Sequence, residues 1–361
     1  MFFLIAAFFP VDAAHWVTKI GAYFVAYLGT LFLMVLATVL IRYLYPSPHV
    51  LLWIILASTL LIGLPVIFRQ AMVRHPIRCV DPCKPDVKLP FAVDQAIDRW
   101  RAQDHRSRTM FMVAAAGGGA RAAYWTASVL GAIQDSQPDF ARQLFAVSAV
   151  SGGALGGAAF ATLGADPPTC RIERKESRSF RECLAEFLSY DFLSPVMASY
   201  LTADLVNRFV PLDRFLADRA EALELSWERA WGNTISGPNW MRAPFDERWR
   251  DRKFQINLLL NGTIADAGVR LRVGDPPTLR PGERAVTSNL QLIDQTGVTI
   301  PNPASYSRLS LSTAIDNSTR FPFVEPVGGV TPHLDGRTSN KTTLSTYYLA
   351  DGGYYDNWLL R

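Results

Sequence analysis

A chain of 361 residues that is 49% hydrophobic and 19% charged has ample apolar surface for a core, which excludes an intrinsically disordered protein. Its 24 Gly, 23 Pro and 4 Cys exclude a collagen-like chain and a disulfide framework. A net charge of +4, from 36 basic and 32 acidic residues, is too small for the electrostatic footprint of a nucleic-acid binder.

Two apolar stretches open the chain. Residues 20–41 and 50–68 contain no charged side chain, and each is long enough to cross a ~30 Å hydrocarbon core at ~1.5 Å per residue. The linker 42–49 (RYLYPSPH) holds Pro46 and Pro48, which forbid one continuous helix. The pattern predicts a transmembrane hairpin. Residues 69–88 carry five Lys/Arg against two Asp, so the positive-inside rule predicts a two-span cell-membrane protein with a cytoplasmic downstream domain. The opening MFFLIAAFFP lacks the basic n-region of a signal peptide. The expected division is a membrane region at 1–85 and an α/β domain at 100–361, with a helical insertion at about 165–250. For a cytoplasmic domain the four cysteines (79, 83, 170 and 183) are expected as reduced thiols, without metal.

Residues 109–115 (TMFMVAA) read as a buried strand, followed by Gly117-Gly118-Gly119. A helix is expected next, with Tyr124, Val129 and Ile133 on helical spacing. Residues 144–150 (LFAVSAV) read as a second buried strand meeting Ser151-Gly152-Gly153, and 154–163 as a closely packed helix. Strand, tight turn and helix occur twice, the layout of an α/β domain with a parallel sheet.

Both turns can carry chemistry. Three glycines opening a helix let backbone N–H groups approach an anion, be it a phosphate or an acyl-transfer oxyanion; a purely structural turn is the alternative. The second turn, Ala149-Val150-Ser151-Gly152-Gly153, has the small-x-Ser-x-Gly form of a nucleophile elbow. Ser151 could instead be a helix N-cap. Ser148 is the rival nucleophile, but Val150 two positions on fits an elbow badly. Of the histidines 15, 49, 75, 105 and 333, only His333 falls in the hydrolase order Ser…Asp…His. The competing base is Asp351 in 347–355 (YYLADGGYY), where Asp-Gly could also be a plain turn.

GGGARAA, then SAVSGGALG, with Ser151 34 positions after Gly117, then ADGG, with Asp351 200 positions after Ser151, resembles the patatin-like phospholipases. Residues 254–263 (FQINLLLNGT) are similar to that family's strand ending in Asn-x-Thr. Residues 310–326 (SLSTAIDNSTRFPFVEP) are similar to its segment leading into an Arg-Phe-Pro turn. The resemblance spans about 109–355. It implies a three-layer α/β/α fold with a mainly parallel sheet and a Ser–Asp dyad without histidine. Ser151 is then nucleophile and Asp351 base, Gly117, Gly118 and Gly119 give oxyanion N–H groups, and Arg121 supports that loop. Ala149 departs from the glycine usual in this elbow. The family's chains continue beyond the position of Arg361, which implies that this sequence is a shortened piece.

Residues 165–250 read as a helical insertion with Trp227, Trp231, Trp240 and Trp249 grouped, more in keeping with packing than with an acyl-chain lining. The functional expectation is a membrane-anchored lipid acyl hydrolase. Its partners would be a membrane lipid substrate and the bilayer, with neither cofactor nor nucleic acid. A catalytically silent lipid-binding or scaffold module is the second reading, and a hydrolase using His333 the third.

Overall fold

The computed structural model describes residues 32, 36, 37, 39, 40, 43, 75–78, 93–102, 109–164, 166–172, 175–204, 207, 216–245, 256–265, 269–274, 284–286, 292–293, 309–321, 324–330 and 347–357. The chain divides into two compact units, Met1–His75 with Asp191–Ser226, and Pro76–Tyr190 with Trp227–Arg361.

In the first unit a helix at Leu193–Leu201 is started by Asp191. Its carboxylate accepts the Ser194 N–H at 3.0 Å and the Ser194 hydroxyl at 2.6 Å, satisfying donors that a helix start leaves open. Further along, Arg219 pairs with Asp204 at 3.1 Å, and Ala203 packs on Leu216.

The second unit is built on a mixed sheet. The strands that matter here are β1 (Phe111–Ala115), β2 (Leu144–Val150), β3 (Asn257–Ile264), β4 (Val269–Gly274) and β5 (Tyr347–Asp351). The helices are α1 (Gly119–Ser136), α2 (Ser151–Leu163), α3 (Phe180–Leu188), α4 (Leu311–Thr319) and α5 (Gly353–Asp356). Two strand–turn–helix units, β1–α1 and β2–α2, stand side by side, because β1 pairs parallel with β2 and β2 parallel with β3. β3 is central: its first half lies along β2, while Gly262–Ile264 pair with β5 and Leu259–Ile264 with β4.

Three expectations are corrected. The sheet is mixed rather than mainly parallel, since β4 and β5 both run antiparallel to β3. Only four residues separate Ile264 from Val269, and a parallel crossover needs a dozen or more, so that connection has to be a hairpin. The transmembrane hairpin is the second correction. A span needs ~20 residues, and no helix among the described residues is long and apolar enough to cross a membrane. The longest with described bounds, α1, has 18 residues and carries Arg121 and Asp135. Of the expected spans, 20–41 is described only at Phe32, Leu36, Ala37, Val39 and Leu40, and 50–68 lies outside the described residues. The two-span cell-membrane placement with a cytoplasmic domain is set aside with it. Third, Cys170 and Cys183 are not reduced thiols but a disulfide, their Cα atoms brought within 5.5 Å where α3 meets the strand Cys170–Ile172; Cys79 and Cys83 lie outside the described residues.

Small residues set the helix packing. All thirteen residues of α2 are buried. A Cβ on Gly156 would overlap the Ala123 carbonyl of α1, and one on Gly131 would come within 2.7 Å of the Arg181 backbone of α3. Side chains at these positions would hold the helices apart and open voids. The buried face of α1 is accordingly Ala123, Ala127, Leu130, Gly131 and Gln134, while Tyr124 and Val129 are exposed. Trp227 and Trp231 are buried, Trp231 meeting Phe187 edge-on with centroids 5.3 Å apart; Trp249 lies outside the described residues.

Candidate active site

β2 delivers its chain directly into α2, and the residue at the junction is Ser151. With φ at 52° it is the single non-glycine residue with positive φ among the described residues. A side chain there costs on the order of 1–3 kcal/mol and persists only where its surroundings impose it. Those surroundings are visible. The Ser151 N–H donates to Ser318 Oγ of α4 at 3.0 Å, and that hydroxyl donates to the Asn261 carbonyl of β3 at 2.5 Å. Behind the serine the glycine loop presses on the first turn of α2: a Cβ on Gly152 would overlap the Gly119 carbonyl, and one on Gly153 would stand 2.7 Å from the Ala115 carbonyl. The Ser-Gly-Gly sequence is therefore a steric requirement of the junction.

Ala149, where a glycine was expected, is accommodated. Its Cβ would stand 3.7 Å from a Cβ on Gly157, an ordinary contact, and Gly157 carries none. Ser148 lies within β2 and accepts Asn261 Nδ2–H at 3.1 Å.

The glycine loop holds Gly118 at φ 151° and Gly119 at φ 59°, conformations that favour glycine. The Gly117 N–H donates to the Asn357 carbonyl at 3.4 Å. Those of Gly118 and Gly119 donate to no atom among the described residues, at the start of an 18-residue helix where amides and dipole favour an anion. Arg121 is exposed one turn on, with no hydrogen bond or ion pair among the described residues.

Asp351 ends β5 and is 3% exposed. Its N–H donates to the Arg320 carbonyl at 2.9 Å, and its carbonyl accepts the Thr263 hydroxyl at 2.9 Å. Its Oδ1 accepts the Gly353 N–H at 2.7 Å. The next residue sets its position: a Cβ on Gly352 would overlap the Asn261 carbonyl and lie 3.1 Å from Val150 Cγ1, so the turn rests on the last residue of β2, beside Ser151. Burial raises the carboxyl above its ordinary 3.8, against the lowering effect of the Ser151 hydroxyl and the Gly353 N–H. Oδ2 has no hydrogen-bond partner among the described residues.

No protein-family model and no curated protein matches this chain.

Of the residues singled out in the sequence, Ser151, Asp351 and the glycine loop come together, Arg121 points to solvent, and His333 lies outside the described residues. Sequence reading missed two contributors, Ser318 and Asn357. Ser318 carried a faint signal, a small polar residue at the end of a helix just before the Arg-Phe-Pro turn. Asn357 carried none beyond following the Asp-Gly-Gly turn. Arg320 is buried, paired with Asp316 at 2.5 Å and bonded to the Pro326 carbonyl at 3.1 Å, over Gly328, whose lack of a side chain leaves room for the guanidinium. Beside the site, Phe321 and Tyr354 stack with centroids 6.1 Å apart, 53% and 57% exposed.

Proposed function

We propose that this chain is a serine hydrolase of carboxylic esters, of the patatin-like kind, with a lipid ester as substrate. The observation that carries the reading is the strained elbow of Ser151 set beside the turn of the buried Asp351, where Gly352 packs on Val150 and Gly117 on Ser151. The unengaged N–H groups of Gly118 and Gly119 support it, and the exposed Phe321–Tyr354 pair offers apolar surface to an acyl chain.

In this reading Asp351 takes the hydroxyl proton as Ser151 Oγ attacks the ester carbonyl. The carbonyl oxygen becomes an oxyanion, stabilised by glycine N–H donors worth about 2.7–4 kcal/mol each. Collapse breaks the ester C–O bond, and the departing alcohol takes the proton from Asp351, leaving an acyl-serine. Water, deprotonated by the same carboxylate, then releases the acid and restores the serine. A carboxylate held above its ordinary pKa is a better base for this work than one in water.

The test is hydrolysis of p-nitrophenyl esters and phospholipid vesicles by the wild type beside Ser151→Ala, Asp351→Asn and His333→Ala, with fluorophosphonate labelling of Ser151. The reading requires loss of turnover in the first two variants and its retention in the third. A wild type that neither turns over nor labels would overturn it.

A further inference from the structure

We propose that Asn357 is a positioning residue that clamps the glycine loop to the Asp351 turn and so sets the aim of the oxyanion donors; this rests on the hydrolase reading above. Asn357 closes the short helix α5, which begins two residues after Asp351. Its carbonyl receives the Gly117 N–H at 3.4 Å. Its side chain occupies the space that a side chain on Gly117 would fill, since a Cβ there would overlap Asn357 Oδ1. On its other side the same oxygen would stand 3.2 Å from a Cβ on Gly353, which in turn would be 3.0 Å from Asp351 Oδ1. The carboxamide is therefore wedged between two glycines, one opening the loop and one following the carboxylate.

The wedge is itself held. Asp356 pairs with Arg270 of β4 at 3.0 Å with both side chains buried, and the Arg270 guanidinium lies over the Tyr355 ring, 5.1 Å from its centroid. Tyr355 and Asp356 donate their N–H groups to the Gly352 carbonyl at 3.1 and 3.0 Å. The sheet thus fixes α5, and α5 fixes the loop through Asn357. Loop position matters because oxyanion donors act over about 2.7–3.1 Å. A Cβ on Gly117 would also be only 3.1 Å from Ser151 Cβ, so the loop abuts the nucleophile and a shift changes both distances together.

The experiment is steady-state hydrolysis of p-nitrophenyl butyrate by the full chain, with active sites counted by fluorophosphonate titration so that unfolded protein drops out. Asn357→Ala should lower kcat per titrated site about 10–100-fold, as a sub-ångström misplacement does, with KM changed less than about twofold. A trifluoromethyl ketone, which forms the oxyanion, should weaken by the same factor as kcat/KM. Asn357→Ser, which shortens the side chain and keeps a hydrogen-bonding group, gives a second measure of the same quantity. The double variant Gly117→Ala with Asn357→Ala should exceed Gly117→Ala alone, because the new methyl enters the space the carboxamide left. A kcat per site within about twofold of wild type in both Asn357 variants, or additive losses in the double variant, overturns the clamp while labelling of wild-type Ser151 leaves the hydrolase reading intact. A wild type that neither labels nor turns over overturns both.

Discussion

The Ser318 hydroxyl accepts the backbone N–H of Ser151 at 3.0 Å and donates to the Asn261 carbonyl at 2.5 Å, joining α4, the elbow and the central strand through one oxygen. Replacing it with alanine leaves a buried N–H and a buried carbonyl without this partner, at a cost of about 1–3 kcal/mol for each group left unsatisfied. Ser318→Ala should therefore unfold at lower temperature and lose part of its turnover, since the strained φ of Ser151 loses one of its restraints. Ser318→Thr, which keeps the hydroxyl, should retain more of both. Thermal melts beside ester hydrolysis check it; equal stability of the alanine variant and wild type would refute it.

Asp351 gives a pH signature. Its folded pKa is raised by burial, so the native state holds the proton more tightly than the unfolded chain. Stability from the protonated form is full below the ordinary 3.8 and is lost as pH rises through the raised value. In the proposed mechanism activity runs the opposite way, because Asp351 acts as a base only when ionised. The acid limb of kcat/KM should therefore lie above the ordinary carboxylate range, and Asp351→Asn should be inactive. That variant should also be more stable than wild type at about pH 8, with the gap closing toward about pH 4. Melting temperatures and pH–rate profiles of the two proteins provide the check.

The local chemistry was legible in the sequence, and the long-range assembly much less so. Ser151-Gly152-Gly153 announces its junction because the steric demand there is met by adjacent residues. Asp351 lies 200 positions away, and no spacing rule predicts that meeting; only a resemblance suggested it. The helix α1 was legible, but its buried face was not, because close helix contacts select small residues rather than large apolar ones. Ala123 and Ala127 are buried while Tyr124 faces out. The strand directions were misread because two βα units were extrapolated to the whole sheet, although the short 264–269 link already demanded a hairpin. The disulfide stayed hidden because it depends on the fold bringing together cysteines thirteen positions apart.

Arg320 and Asp316 form a pair with side chains 2% and 0% exposed. The carbonyl of Arg320 holds the Asp351 N–H, so the pair supports the site as well as the core. Breaking a buried pair from one side costs about 3–5 kcal/mol, because a charge stays behind in a poor solvent. Arg320→Met should lower stability by that order and depress turnover. Arg320→Met combined with Asp316→Asn should recover part of the stability, since the stranded charge is gone. Denaturant midpoints of the three variants decide the point, and a double variant no better than the single would count against it.

Gly152 tests the contact between the glycine loop and the elbow helix most directly. A methyl there would overlap the Gly119 carbonyl, a backbone atom that no rotamer change can move. Overpacking of this kind costs about 1–3 kcal/mol, about 2–4 °C per kcal/mol in a domain of this size. The displaced residue carries one of the unengaged N–H groups, so the loss of activity should exceed the loss of stability. Removal of one oxyanion donor costs about 100–1,000-fold in kcat. Gly232→Ala is the control, because a Cβ there would meet only the Asn239 amide nitrogen at 3.2 Å, a side-chain atom away from the site that donates to the Glu228 carbonyl. Alanine within the helix Arg219–Thr234 should leave turnover unchanged and cost less stability than Gly152→Ala. Gly152→Ala active at more than about a tenth of the wild-type rate would show that the loop can yield without losing its donors.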